Sequence, residues 1–174
     1  AIEKTIPGFN QYNQRVRIPG GFYLPNTSRE GTFATLNGKA NFNIAHIAPI
    51  KLKSNELMMM TIRSHDQFNT TVYGLDDRYR GIYNERRVIM MHHLDMQAEG
   101  LLKHDVVDIT SIFKGEQRTV HHFIVVPVPI ARKCVAAYFP EANPLVHIDA
   151  VAHSSNTPAS KSVVVSLRKV EKVE

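Results

Sequence analysis

The sequence predicts a mainly β fold with a few short helices, most simply a closed barrel. Three observations carry that prediction. Apolar runs of strand length recur along the chain, about seven or eight of them, and turn residues separate them. Helical periodicity holds only over short stretches. No strand is followed by the glycine-rich turn and long helix of a dinucleotide-binding α/β fold. Closure follows from the number of strands, because a barrel leaves no exposed sheet edge.

The opening 1–32 reads as a linker-like extension, and 33–174 as the barrel domain. The extension carries Pro7, Pro19 and Pro25 with Gly8, Gly20 and Gly21, and shows no lasting periodicity. Next, TLNGKANFNIAHI places Asn37-Gly38, a strong tight-turn pair, between Phe33-x-Thr35 and the alternating Ala40-x-Phe42-x-Ile44, which reads as a hairpin. Leu57 to Ile62 is an apolar run of strand length whose β-branched end favours a buried strand. Arg87 to Met91 is the following strand. Asp95 is placed to cap a short helix that Gly100 ends. Val106 to Thr110 is a strand, Gly115 to Gln117 a turn, and Thr119 to Val128 a longer strand closed by Pro127 and Pro129. Ile130 to Ala137 suggests a helical turn, FPEANPL a loop, Val146 to Val151 a short strand, HSSNTPASK a polar loop, and SVVVSLRKVEKV a final strand.

Composition narrows the function classes. A chain of 174 residues fits one domain. With 43% hydrophobic and 21% charged residues it has the balance of a globular protein rather than a disordered one. The single cysteine, Cys134, excludes an internal disulfide framework and a cysteine-based metal site, and it fits a reducing, cytoplasmic setting. No apolar run approaches the roughly 20 residues of a membrane span. The chain carries no basic-then-apolar signal-peptide pattern, and its alanine start and linker-like opening suggest a segment of a longer polypeptide. A formal charge of +5 favours anionic partners mildly.

Most candidate chemistry is weak. His92-His93 and His121-His122 are adjacent pairs, and neighbours on a strand point to opposite faces, so neither pair makes a two-ligand site. Arg78, Arg80, Arg86 and Arg87 with Tyr73, Tyr79 and Tyr83 resemble a nucleic-acid surface only superficially. Asp76, Asp77 and Glu85 dilute the charge, and no nucleic-acid module is recognisable. The densest array is TIRSHDQFNTTVYG. A polar loop capping its own backbone would account for Asn69, Thr70 and Thr71. Arg63, Asp66 and Gln67 together ask for more: a planar fork for phosphate, an acceptor, and a donor–acceptor amide suit a ligand carrying phosphates and an amide-rich heterocycle.

ELMMMTIRSHDQFNTTVYG resembles a segment of the molybdopterin oxidoreductases, the dimethyl sulfoxide reductase and formate dehydrogenase superfamily. The matching pieces are Thr61-Ile62-Arg63 followed by Gln67-Phe68-Asn69-Thr70, then FPEANPL with Asn143, and TPASKSVVVSL with Pro158 and Lys161. Between them MHHLDMQAEGLLKHDVVDI is similar to the family's helix and Asp-led strand, at Asp105. RVRIPGGFYLPN and NGKANF look closest to the formate-dehydrogenase-like alpha-subunit branch. The departures are Phe68-Asn69, where many relatives have Trp-His, and Ile62, where a glycine is common. The resemblance implies a double-psi β-barrel at the C-terminal end of a larger enzyme, holding bis-molybdopterin guanine dinucleotide. It implies Arg63 on phosphate or pterin oxygen, amides of Gln67 and Asn69 on the pterin edge, Phe68 against the ring system and a hydroxyl bond from Thr70. Asn143 and Lys161 would approach from other loops, with backbone groups near Thr61 and Ser64 assisting. It places no catalytic residue and no metal ligand in this chain. The iron–sulfur cluster, the remaining domains and the small-molecule substrate belong to the parent, and the isolated chain is expected to be inactive. The alternative is a free-standing barrel module that binds a protein or nucleic-acid partner.

Overall fold

The computed structural model describes residues 1–47, 49–69 and 72–171. The chain forms two compact units, 1–49 and 50–174. In the first unit, helices α1 (Ile2–Thr5) and α2 (Tyr12–Arg15) are each a single turn. Phe9, Tyr12 and Phe22 gather there, with ring centroids 5.6 to 6.2 Å apart. Arg15 lies 4.0 Å over the Phe22 ring and donates to the Gly8 and Asn10 carbonyls. The expected hairpin around Asn37-Gly38 is only half present. The turn forms, with Gly38 N–H donating to Thr35 O at 3.1 Å. The flanking runs do not pair, and among the described residues no strand precedes Leu57.

The second unit is a closed six-stranded barrel: β1 (Leu57–Ile62), β2 (Val88–Met91), β3 (Val106–Phe113), β4 (Glu116–Pro127), β5 (Cys134–Tyr138) and β6 (Val163–Lys169). Around the barrel the order is β1-β5-β2-β4-β3-β6. β5 lies between β1 and β2, parallel to the first and antiparallel to the second. β4 repeats the arrangement between β2 and β3. These two interleaved insertions make the barrel double-psi, the fold class expected from the sequence.

Alternation fills the barrel. Leu57 and Met59, Ile89 and Met91, Val107 and Ile109, Phe123 and Val125, Val135 and Ala137, and Val163 and Val165 point inward as i, i+2 pairs from the six strands. A smaller cluster of Ile82, Val88, Met90, Ala136 and Tyr138 covers β2 and β5 on their outer side. Those two strands are therefore buried on both faces and read as unbroken apolar runs. That is why 130–137, expected as a helical turn, gives a strand over its second half. Val146 to Val151 is a further correction: it forms no strand, only an isolated bridge from Val151 to Pro158.

One helix crosses between barrel strands, α3 (His93–Ala98). His92, not Asp95, caps it, its Nδ1 accepting from Leu94 N–H at 3.1 Å. Asp95 sits in the first turn, buried, and binds Arg132 Nε at 2.6 Å and Lys133 N–H at 2.7 Å. Gly100 does end the helix: at φ +64° it lets Leu101 N–H reach back to Met96 O at 2.8 Å.

Candidate functional site: a three-loop rim at one end of the barrel

Strand directions bring the candidate segments together. β1 and β5 are parallel with Ile62 opposite Tyr138, so the loops that follow them, beginning at Arg63 and Phe139, leave from the same end. Phe139 N–H donates to Ile62 O at 2.8 Å across that point. β6 is antiparallel to β1, with Met59 opposite Val163, so the segment just before β6 arrives at the same end. Thr61 N–H donates to Ser160 O at 2.9 Å, and Lys161 Nζ donates to the Thr61 carbonyl. Three stretches far apart in sequence thus form one rim.

Arg86, buried at 4% exposure, binds two of the three stretches to each other. Its Nε donates to Glu141 Oε1 at 2.7 Å, Nη1 to Ser64 Oγ at 2.9 Å, and Nη2 to Gln67 Oε1 and Phe139 O at 3.0 Å each. Its guanidinium carbon lies 3.7 Å from the centre of the Tyr73 ring and 4.7 Å from that of Tyr138. Tyr73 Oη also donates to Glu141 Oε1, at 3.0 Å. The charge of the only acid in the FPEANPL loop is thereby matched by a buried cation.

A second polar knot lies beside the first. Tyr138 Oη donates to Asp77 Oδ2 at 2.7 Å, and Arg80 Nη1 binds the same oxygen. Burial pushes the Asp77 carboxyl up, but the bonds from Tyr138 and Arg80 outweigh it and leave it below the usual carboxylate range. Burial and the Asp77 charge together drive the Tyr138 hydroxyl well above its ordinary value. The knot fixes the 77–82 turn, whose Tyr79 ring lies tilted against His65 with centroids 3.7 Å apart, while Arg80 Nη1 donates to Arg63 O at 3.3 Å.

The predicted site residues divide by burial. Thr61, Ser64 and Gln67 are buried, at 3%, 4% and 5% exposure. The backbone groups of Thr61 are occupied by Ser160 and Lys161, and Ser64 and Gln67 receive Arg86. Arg63, Phe68, Asn69, Asn143 and Lys161 are exposed on the rim. Thr70 lies outside the described residues. Asn143 opens a 3-10 turn, Asn143–Leu145, where its N–H donates to Pro140 O at 2.9 Å.

Sequence reasoning missed the role of Arg86. In the sequence Arg86 groups with Arg78, Arg80 and Arg87, and the structure breaks up that cluster. Arg86 is internal, Arg80 pairs with Asp77, and only Arg78 and Arg87 remain exposed without a carboxylate partner among the described residues. The sequence holds one sign of the role, an arginine two positions before a doubly buried strand. Among the described residues no three His, Cys, Asp or Glu side chains come together to ligate a metal, and no helix is long and apolar enough to cross a membrane.

Residues 57–164 match the family model described as the molydopterin dinucleotide binding domain, a span that runs from the first residue of β1 into β6. An uncharacterized oxidoreductase of Mycobacterium tuberculosis is 42% identical over 173 residues, covering 96% of this chain and 22% of that protein. Protein YdeP of Escherichia coli is 37% identical over 172 residues, covering 95% of this chain and 23% of that protein. The chain therefore spans about a fifth of the length of the curated relatives it matches.

Proposed function

Because this chain belongs to the molydopterin dinucleotide binding domain family, we propose that its three-loop rim holds bis-molybdopterin guanine dinucleotide within a larger molybdenum-dependent oxidoreductase. The observation that carries the proposal is the convergence of the loops after β1 and β5 with the segment before β6. The exposed side chains there fit such a group. Arg63 and Lys161 offer cationic donors for phosphate, Asn69 and Asn143 offer amides for a heterocycle edge, and Phe68 offers an open ring face. Glu141 does not repel an anion, because Arg86 neutralises it.

The residues divide the work by depth. Arg63 binds a phosphate or pterin oxygen, Asn69 and Asn143 orient the ring edge, Phe68 covers it and Lys161 closes the third side. Thr61, Ser64 and Gln67 hold the first loop in shape from below, and Thr70 completes the polar array that the family resemblance assigns. The bound cofactor supplies the electron transfer, and the domain supplies its binding, orientation and electrostatic surroundings. For the parent protein we carry the formate-dehydrogenase-like reading: a cytoplasmic enzyme that passes electrons to an iron–sulfur centre outside this chain, with the domain inactive by itself. RVRIPGGFYLPN and TIRSHDQFNTTVYGLDDRYRG support that branch, and a relative that bears the name oxidoreductase supports the broader reading of a redox enzyme.

The test uses the full-length protein that carries this domain, produced in a host able to make the cofactor. Metal content by plasma mass spectrometry and pterin fluorescence after oxidation are compared for wild type and Arg63→Ala. Arg63 is exposed, so the variant folds. We expect molybdenum or tungsten with pterin in wild type and a several-fold lower content of both in the variant. Wild-type protein without metal and pterin refutes the cofactor reading; equal content in the two proteins removes Arg63 from the site.

A further inference from the structure

The stretch 40–47 has the residue pattern of a β-strand but, among the described residues, no sheet to join. Ala40, Phe42 and Ile44 alternate with Asn41 and Asn43, the period-2 pattern of a strand with one apolar face. Phe42 is fully exposed and Ile44 is 89% exposed. Among the described residues, no backbone N–H or C=O of 40–47 takes part in a backbone hydrogen bond. Such a stretch combines two features that sheet pairing would satisfy together: unpaired backbone groups and an uncovered apolar face.

The turn before it is nonetheless built. Thr35 Oγ1 shares its one proton between Asn37 Oδ1 at 2.9 Å and Lys39 O at 2.8 Å, and Asn37 Nδ2 donates to Asn41 Oδ1 at 3.0 Å. The stretch therefore leaves a fixed turn rather than a loose tail. The six barrel strands offer it nothing, since each already pairs on both sides. The matches at 42% and 37% identity cover 96% and 95% of this chain but only 22% and 23% of the relatives, so most of such a protein lies outside the matched part.

We propose that 40–47 adds as a β-strand to the edge of a sheet elsewhere in its own polypeptide, with Phe42 and Ile44 packed on that sheet's apolar face. This is strand addition within one chain: main-chain hydrogen bonds supply the attachment, and the alternating side chains fix the register. It ties the barrel domain to the remainder of the protein independently of any cofactor.

Amide hydrogen exchange on the full-length protein and on the 174-residue chain tests it. In the full-length protein we expect alternate amides in 40–47 to slow on the order of a hundredfold, the protection of a paired edge, with no slowing in the shorter chain. Phe42→Asp combined with Ile44→Asp abolishes the slowing in the full-length protein and leaves the melting of the 174-residue chain unchanged. Asn43→Ser keeps the slowing. Fast exchange in both proteins overturns the proposal. So does slowing that appears in the shorter chain and grows with its concentration, or slowing that requires a second polypeptide.

Discussion

Arg86 uses four N–H donors on four different acceptors while two aromatic rings flank its plane. Removing it leaves Glu141 charged and largely enclosed, with its Oε2 already without a partner among the described residues. We expect Arg86→Ala to cost about 3–5 kcal/mol in urea unfolding of the chain, the usual penalty for breaking an enclosed ion pair from one side. Arg86→Lys should recover only a minor part, because an ammonium cannot reproduce a planar fork that bonds Ser64, Gln67 and Glu141 at once. None of this was legible beforehand. The guanidinium donates to residues 19 to 55 positions away, and no local pattern encodes such contacts. The neighbouring polar stretch was legible, since its residue types crowd within one loop. What could not be read was which of them turn inward.

At the level of elements, the alternating patterns were readable and the doubly buried ones were not. Leu57–Ile62 shows its span directly, with a polar break on each side. Cys134–Tyr138 hides, because small apolar residues buried on both faces carry no period. The 40–47 stretch fails in the opposite way: its strand pattern is plain, but pairing depends on a partner that the pattern does not specify. Helix α3 shows a stop signal that can be measured. A Cβ on Gly100 would meet no atom within 4 Å, so the cost of adding one is purely that of its φ of +64°. Gly100→Ala should therefore destabilise the barrel unit by about 1 kcal/mol, read as a shift in the thermal midpoint.

Over the whole molecule, buried acids and a buried phenol set the pH range in which the fold is stable. Burial raises the carboxyls of Asp77, Asp95 and Asp108, but arginine, tyrosine, histidine and backbone donors more than compensate and hold all three below their ordinary range. Groups lowered in the folded state add stability above their unfolded value, roughly 3.9, and lose it as pH falls further. Tyr138 is raised, so its contribution is complete below about 10 and fades as pH rises. Urea midpoints measured across pH should fall at both ends; Tyr138→Phe should flatten the alkaline side and, because it removes a hydrogen bond that holds Asp77 low, also weaken part of the acid-side dependence. A steady midpoint down to pH 3 would contradict the acid half. The strand order also bears on how the protein is made. β1 bonds only to β5 and β6, and Cys134 follows Ile62 by 72 positions. At the ~5–20 residues per second of translation, the completed Leu57–Ile62 strand waits roughly 4–14 seconds for its first neighbour. During that interval an apolar run with both edges open is exposed to the crowded cell, so the closed barrel that ends without a free edge is, while it emerges from the ribosome, a substrate for chaperones.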